Sequence, residues 1–325
     1  MKSRMKTVEL TIAVITKDRA YDLRKCVSTI YRQVQGNFGV LIVDNDRSGS
    51  ARPVYEYFKS KDSLLIRYCR EPEAGYANAR NCALANCQTR YLGFVDDDCI
   101  LNELWAAKGL EAIKNHKSAF VVGRSEQPAC KNLFAGAERY IYVNWMPEYI
   151  DKNTNEINPL RFDTKNVILD AFVLRKNNIK FDQRFNQYGG EDVDLGLELK
   201  QCNLKGYYVN EMFLFHKGKS SLGSYIKKAF AYGYNCCNLY DKWSCRNECV
   251  DWNNLDTYRF HMNFKRNLYE LYGIKQNTKW KKLCFFILIK LFNLFFVKGF
   301  STKRRLILRC ENAGTEKTMG ISECN

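Results

Sequence analysis

The chain has 325 residues, 46% hydrophobic and 26% charged, with 51 Lys and Arg against 35 Asp and Glu, a formal charge of +16. That length supports a sizeable core, as one large domain or two smaller ones, and the composition excludes intrinsic disorder. Only 5 prolines exclude a Pro-rich or collagen-like chain, and the basic excess leaves nucleic acid, an anionic membrane or an anionic substrate as the partner class.

The first two hundred residues alternate strand and helix signals. Leu10 to Thr16 reads as a buried strand, Tyr21 to Gln33 as a helix, and Val40 to Val43 as a second strand closing in Asp44-Asn45-Asp46. A helix over Pro53 to Phe58, a strand over Leu64 to Tyr68 and a helix over Tyr76 to Cys87 follow. Tyr91 to Val95 is a fourth strand, closing in Asp96-Asp97-Asp98, and Asn102 is placed to cap the next helix. This rhythm predicts right-handed βαβ units and a mostly parallel sheet covered on both faces. Beyond residue 119 the spacing predicts strands over 120–122, Val167 to Leu174 and Tyr207 to Phe215, and a helix over Gly190 to Cys202. Residues 222–272 read as helical. The boundary falls at 218–225, dividing the chain into an N-terminal α/β domain (1–220), a helical extension (221–274) and a basic amphipathic tail (275–325).

The N-terminal Met1-Lys-Ser-Arg-Met-Lys run leads straight into the first strand without the apolar core of a signal peptide. A cytosolic, reducing setting with free thiols follows for the 14 cysteines. Cys236, Cys237, Cys245 and Cys249 cluster without a paired Cys-x-x-Cys knuckle, so helix packing is expected there ahead of zinc.

In an open α/β sheet, ligands bind at the carboxyl ends of the strands. Two of the first four strands end there in carboxylates, Asp44 and Asp46, then Asp96, Asp97 and Asp98. Clustered carboxylates need a cation, a proton or hydrogen-bond donors, and hard oxygen ligands favour Mg²⁺ or Mn²⁺. No G-x-G-x-x-G follows the first strand and no G-x-x-x-x-G-K-[ST] occurs, which argues against dinucleotide and P-loop sites.

Five segments carry a family resemblance: TIAVITKDR (11–19), LIVDND (41–46), EAGYANARNCAL (73–84), FVDDD (94–98) and FDQRFNQYGGEDVDLGLELK (181–200). In order and approximate spacing they resemble a family 2 glycosyltransferase of the GT-A fold, over residues 8–217. The resemblance implies an inverting transfer of sugar from a nucleotide-diphosphate donor to an acceptor hydroxyl, with Mn²⁺ or Mg²⁺. It implies that Thr16, Arg19, Asp44, Gly75, Arg80, Asn81, Asp96 and Asp97 line the nucleotide-sugar site. Asp98 and Asp96, with His216, would hold the metal. Asp97 leaves open which adjacent pair serves, and Arg80 either meets a phosphate or pairs with the acidic loops. Asp192 would be the catalytic base and Glu191 would orient the acceptor or its neighbours. The Q-x-x-R-W motif of processive synthases is missing after residue 217, which points to single-sugar transfer.

Ten of the sixteen net charges lie between Lys275 and Arg309, where no acidic residue occurs. They flank Leu283 to Val297, apolar at thirteen of fifteen positions and interrupted by Lys290 and Asn293. This is short of the roughly 20 apolar residues a spanning helix needs. It reads as a helix lying on an anionic membrane surface through residues 279–305, on the cytoplasmic face, with docking on the catalytic domain or on a second copy as the alternative. Apolar block and flanking charge argue against nucleic acid. The acceptor would be a saccharide or lipid-linked precursor of a surface polysaccharide or glycolipid. Two other readings remain open. A sugar-phosphate nucleotidyltransferase would carry a Gly-rich basic loop after the first strand, where this chain has Lys17-Asp18-Arg19-Ala20; a membrane-associated scaffold would not need the acidic sites.

Overall fold

The computed structural model describes residues 8–34, 37–61, 65–126, 133–137, 150–158, 161–185, 189–217, 221–243 and 279–319. Two compact units emerge, Met1–Asn186 with Glu191–Gly218, and Gln187–Gly190 with Lys219–Asn325.

The first unit is built on one mixed sheet. Its opening half follows the expected alternation: β1 (Leu10–Thr16), α1 (Ala20–Ile30), β2 (Phe38–Asp44), α2 (Arg52–Lys59), β3 (Ile66–Arg70), α3 (Tyr76–Asn86) and β4 (Tyr91–Asp96). These four strands pair in parallel in the order β3-β2-β1-β4. Side chains alternate across a strand, so β1 and β2 each feed two cores. Ile12, Val14, Val40 and Ile42 pack with Leu23, Cys26, Val27 and Ile30 of α1. Ala13, Leu41 and Val43 face the other way, onto Ala77, Ala79, Ala83 and Leu84 of α3. Burial on both faces explains why these strands read as unbroken apolar runs.

The second half brings β5 (Cys99–Leu101), α4 (Trp105–His116), β6 (Phe120–Glu126), β7 (Glu156–Ile157), β8 (Asn166–Asp170), α5 (Ala171–Lys176), α6 (Glu191–Gln201) and β9 (Gly206–His216). The sheet continues β4-β8-β6-β9-β5, with β7 on β9. Here β4 and β8, β8 and β6, and β9 and β5 run antiparallel, and only β6 and β9 run parallel. The expected parallel pairing therefore holds throughout the first half, and in the second half only for β6 with β9. The expected strand over 167–174 is also corrected: it ends at Asp170, whose carboxylate accepts from Phe172 N and Val173 N and starts α5. An apolar run by itself does not distinguish a strand from a strand turning into a short helix.

In the second unit, α7 (Leu222–Trp243) packs along α8 (Lys279–Met319). A Cβ at Gly233 would overlap Phe296 O, and one at Gly299 would overlap Phe230 O, so two small residues let the backbones cross closely. Leu288, Ile289, Phe292 and Phe296 of α8 are buried, and Tyr225 Oη donates to Leu288 O at 3.3 Å. The helix expected near 280–300 thus extends to Met319. No helix among the described residues is long and apolar enough to cross a membrane. Cys245, Cys249 and the rest of 244–278 lie outside the described residues.

Candidate active site

The parallel register sets four strand ends in a row. Thr16 lies beside Asp44, Ile15 beside Asp96, and Asp44 beside Arg70. The carboxylates after β4 then diverge. Asp97 turns inward and is 1% exposed; its Oδ2 accepts from Thr16 Oγ1 at 2.7 Å and from Arg19 Nε at 3.1 Å, and its Oδ1 pairs with Arg19 Nη2. Burial pushes its carboxyl up to about 7 against the pull of Arg19 and Thr16, and Asp98 and Asp96 add to the rise. Arg19 Nη1 also donates to Asp98 Oδ2 at 2.9 Å. Thr16 and Arg19 thus brace the acidic turn with their side chains.

Asp96, Asp98 and His216 each offer one ligand atom, and these atoms lie within 4.8 Å of one another. His216 Nε2 is 3.3 Å from Asp98 Oδ1. Antiparallel pairing of β5 with β9, which sets Cys99 opposite His216, delivers the imidazole to the acidic turn. Two carboxylates and an imidazole are a donor set that fits Mn²⁺ well.

Asp44, at the end of β2, is fully buried. Its Oδ2 accepts from Ala51 N and from Tyr68 Oη, both at 2.9 Å, while Oδ1 has no partner among the described residues. Burial and that hydrogen bond to Asp44 push the Tyr68 hydroxyl up to about 12. Next to it, Asn45 latches the loop before α3: its Nδ2 donates to Glu71 O at 3.0 Å and Glu73 O at 2.8 Å, and its Oδ1 accepts from Gly75 N at 2.9 Å. Gly75 is thereby fixed immediately before α3, in the loop that follows β3.

From α3 the site is tied to the segment that carries the second acidic motif. Asn81 clamps Phe181 with both amide atoms, accepting from its N–H at 3.0 Å and donating to its carbonyl at 2.8 Å. Arg80 Nη1 donates to Glu191 Oε1 at 2.7 Å, with both side chains nearly excluded from solvent. Of the two readings of Arg80, a phosphate contact and a partner for acidic residues, the structure displays a carboxylate partner, Glu191. Burial pushes Glu191 up to about 7 while Arg80 pulls it back. Arg80 Nε and Glu191 Oε2 are buried without partners among the described residues. Asp192 is half-buried in the first turn of α6, and its Oδ1 accepts from Val193 N at 2.9 Å. Burial raises its carboxyl, Asp163 raises it further, and Arg80 opposes.

Sequence reasoning did not single out Tyr68, Asn45, Asp163 or Lys165. Tyr68 is an ordinary strand aromatic until the β2–β3 register sets it beside Ile42, two residues before Asp44. Asp163 pairs with Lys165, and His216 also lowers its carboxyl; nothing in that local sequence signals this neighbourhood.

A family model, glycosyl transferase family 2, matches residues 11–180, which includes β1 to α5 and both strand-end acidic clusters. The chain belongs to that family. The match sets aside the nucleotidyltransferase alternative. Among curated relatives, this family 2 member is 25% identical over 230 residues to a hyaluronan synthase of Pasteurella multocida, covering 61% of this chain and 23% of that protein. It spans 23–47% of the length of the first relatives it matches. Its fold is shared with the mannosyltransferase PcManGT from Pyrobaculum calidifontis in complex with GDP-Man and Mn²⁺, at a TM-score of 0.58 and 12% identity, covering 88% of this chain and 87% of that one. S. aureus TarS 1-349 in complex with UDP-GlcNAc gives a TM-score of 0.57 at 13% identity, covering 91% and 84%. The expected GT-A architecture is therefore the observed one.

Proposed function

We propose that this chain is a metal-dependent, inverting glycosyltransferase that moves one sugar from a nucleotide-diphosphate sugar to an acceptor hydroxyl. The observation that carries the reading is the convergence of Asp96, Asp98 and His216 on one point beside the strand ends of β1 and β2. In this reading Asp96, Asp98 and His216 hold Mn²⁺ or Mg²⁺, which when bound offsets charge on the departing diphosphate. Two proteins of the same fold that hold sugar nucleotides, one of them with Mn²⁺, support it.

Asp44 offers its unpartnered buried Oδ1 as an acceptor for an N–H of the donor base. Thr16, Arg19 and Asp97 act on the donor by fixing the acidic turn, and Gly75, Arg80 and Asn81 by fixing the loop and helix at its rim. Asp192 takes the acceptor proton as the acceptor oxygen attacks the anomeric carbon, and the nucleotide diphosphate leaves from the opposite face with the bonding electrons. Glu191, locked to Arg80, holds the start of α6 and so positions Asp192.

The tail belongs to the same reading. Ile287, Leu294 and Val297 are exposed on α8 beside exposed Lys290 and Lys298, a pattern that suits an anionic membrane surface on the cytoplasmic side. The catalytic part (1–220), the extension (221–274) and the tail (275–325) would then divide chemistry from attachment, with a lipid-linked or polysaccharide acceptor. A thermal-shift screen of sugar nucleotides with Mn²⁺ on the full chain tests the core claim. A donor at about 100 times its Kd adds roughly 2.7 kcal/mol of apparent stability. One sugar nucleotide should raise Tm in a metal-dependent way; no shift with any of them sinks the proposal.

A further inference from the structure

Cys69 on β3 and Cys82 on α3 lie Sγ to Sγ at 3.2 Å, both partly exposed. They pack against the same core, under α3, and Cys69 sits in register with Val43, one residue before Asp44. Between them runs the loop that Asn45 latches through Glu71 O, Glu73 O and Gly75 N. Closing the sulfurs to the roughly 2.05 Å of a disulfide takes about 1 Å of movement, within what a side-chain rotation supplies.

We propose that Cys69 and Cys82 are a reversible dithiol–disulfide pair, a modification site that staples the loop at the nucleotide rim. The chemistry needs a two-electron oxidant, and a small peroxide fits the partial exposure. The Cys82 thiolate attacks one peroxide oxygen, the O–O bond breaks, and the released hydroxide takes a proton to leave as water. Cys69 sulfur then attacks the Cys82 sulfenic sulfur. The S–S bond forms, and the hydroxyl departs with the Cys69 proton as a second water. The two sulfurs lose two electrons and the peroxide gains them. The contact between the sulfurs stabilises a thiolate on one of them; the step is written with Cys82 attacking and balances equally with the two exchanged. A dithiol reductant reverses the bond by exchange.

The staple closes a loop of about 14 residues, enough to restrict the chain between β3 and α3 measurably. It acts on loop freedom and is independent of the donor chemistry proposed above. The test uses the full chain, reduced with dithiothreitol, desalted, and divided between buffer and stoichiometric hydrogen peroxide. Alkylation with iodoacetamide and digestion without reductant follow. The expected product is a Cys69–Cys82 linked peptide, short of the two free peptides by two hydrogens and restored by dithiothreitol. Amide exchange over residues 71–76 should slow by about tenfold in the oxidised form, and Tm should rise by roughly 5 °C. Both effects should vanish in Cys69→Ala and in Cys82→Ala, whose reduced-state melting curves report whether the variants fold. Recovery of both cysteines singly alkylated after peroxide overturns the proposal. So does independent sulfinic acid at each, or crosslinking to other cysteines.

Discussion

Asp192 is a carboxylate whose surroundings favour holding a proton, with burial and Asp163 outweighing Arg80. A base must be ionised to act, so kcat/KM should fall as pH drops through that raised value. The acid limb should lie above the ordinary Asp value of about 4; a pH–rate profile flat down to that value contradicts the assignment. Asp192→Asn should lower transfer by about 10²–10⁴-fold while leaving metal-dependent donor binding in place, measured by turnover beside thermal shift. Asp44, Asp96 and Asp98 stood out in the sequence because they close apolar strands, and Asp192 because it opens a helix after a glycine pair. The inward turn of Asp97 was not. Which of three consecutive carboxylates faces the core depends on Thr16 and Arg19, about 80 positions away along the chain.

At the scale of elements, α3 and α6 are joined by a buried ion pair between Arg80 and Glu191. Removing one partner strands a charge. Glu191→Ala should therefore cost about 3–5 kcal/mol in denaturant unfolding, and the paired change Arg80→Met with Glu191→Leu much less. A similar cost for both variants would show that Glu191 contributes through packing alone. Asp170 is the other junction: it caps α5 and pairs with Arg90 Nε at 2.9 Å. Asp170→Ala should lower stability by about 1–2 kcal/mol, read from the shift in denaturation midpoint at constant slope. Helix and strand identities in residues 10–96 and 105–116 were legible because two-sided burial and period switching mark them, while the three-residue β5 was not foreseen. In the second half the main strands and the helix were also legible, but their antiparallel pairing was not, since β6, β8 and β9 find partners that are distant or out of order in sequence.

For the whole molecule, the charge of +16 separates into a modestly basic body and a strongly basic α8 region. One side of α8 is committed to α7 through Leu288, Phe292, Phe296 and the Gly233 and Gly299 crossings, while Ile287, Leu294 and Val297 remain exposed. Removing residues 275–325 should abolish sedimentation with anionic liposomes. For the full chain, binding should weaken steeply as ionic strength rises. Equal sedimentation of both forms would sink the attachment role. A soluble, folded truncated form is checked by circular dichroism, because α7 loses its apolar partner.

From its amino acids alone the chain specified its family, the alternating first half and the residue types at each strand end. Those properties rest on local periodicity and on chemistry that few other positions tolerate. Folding in three dimensions decided the rest. It brought His216 to the acidic turn through the β5–β9 pairing, turned Asp97 inward, set Arg80 against Glu191, and sorted α8 into a packed side and an exposed one. Each of these depends on contacts between segments far apart in sequence, and for His216 on strand register, where a shift of one residue reverses which side chain faces which.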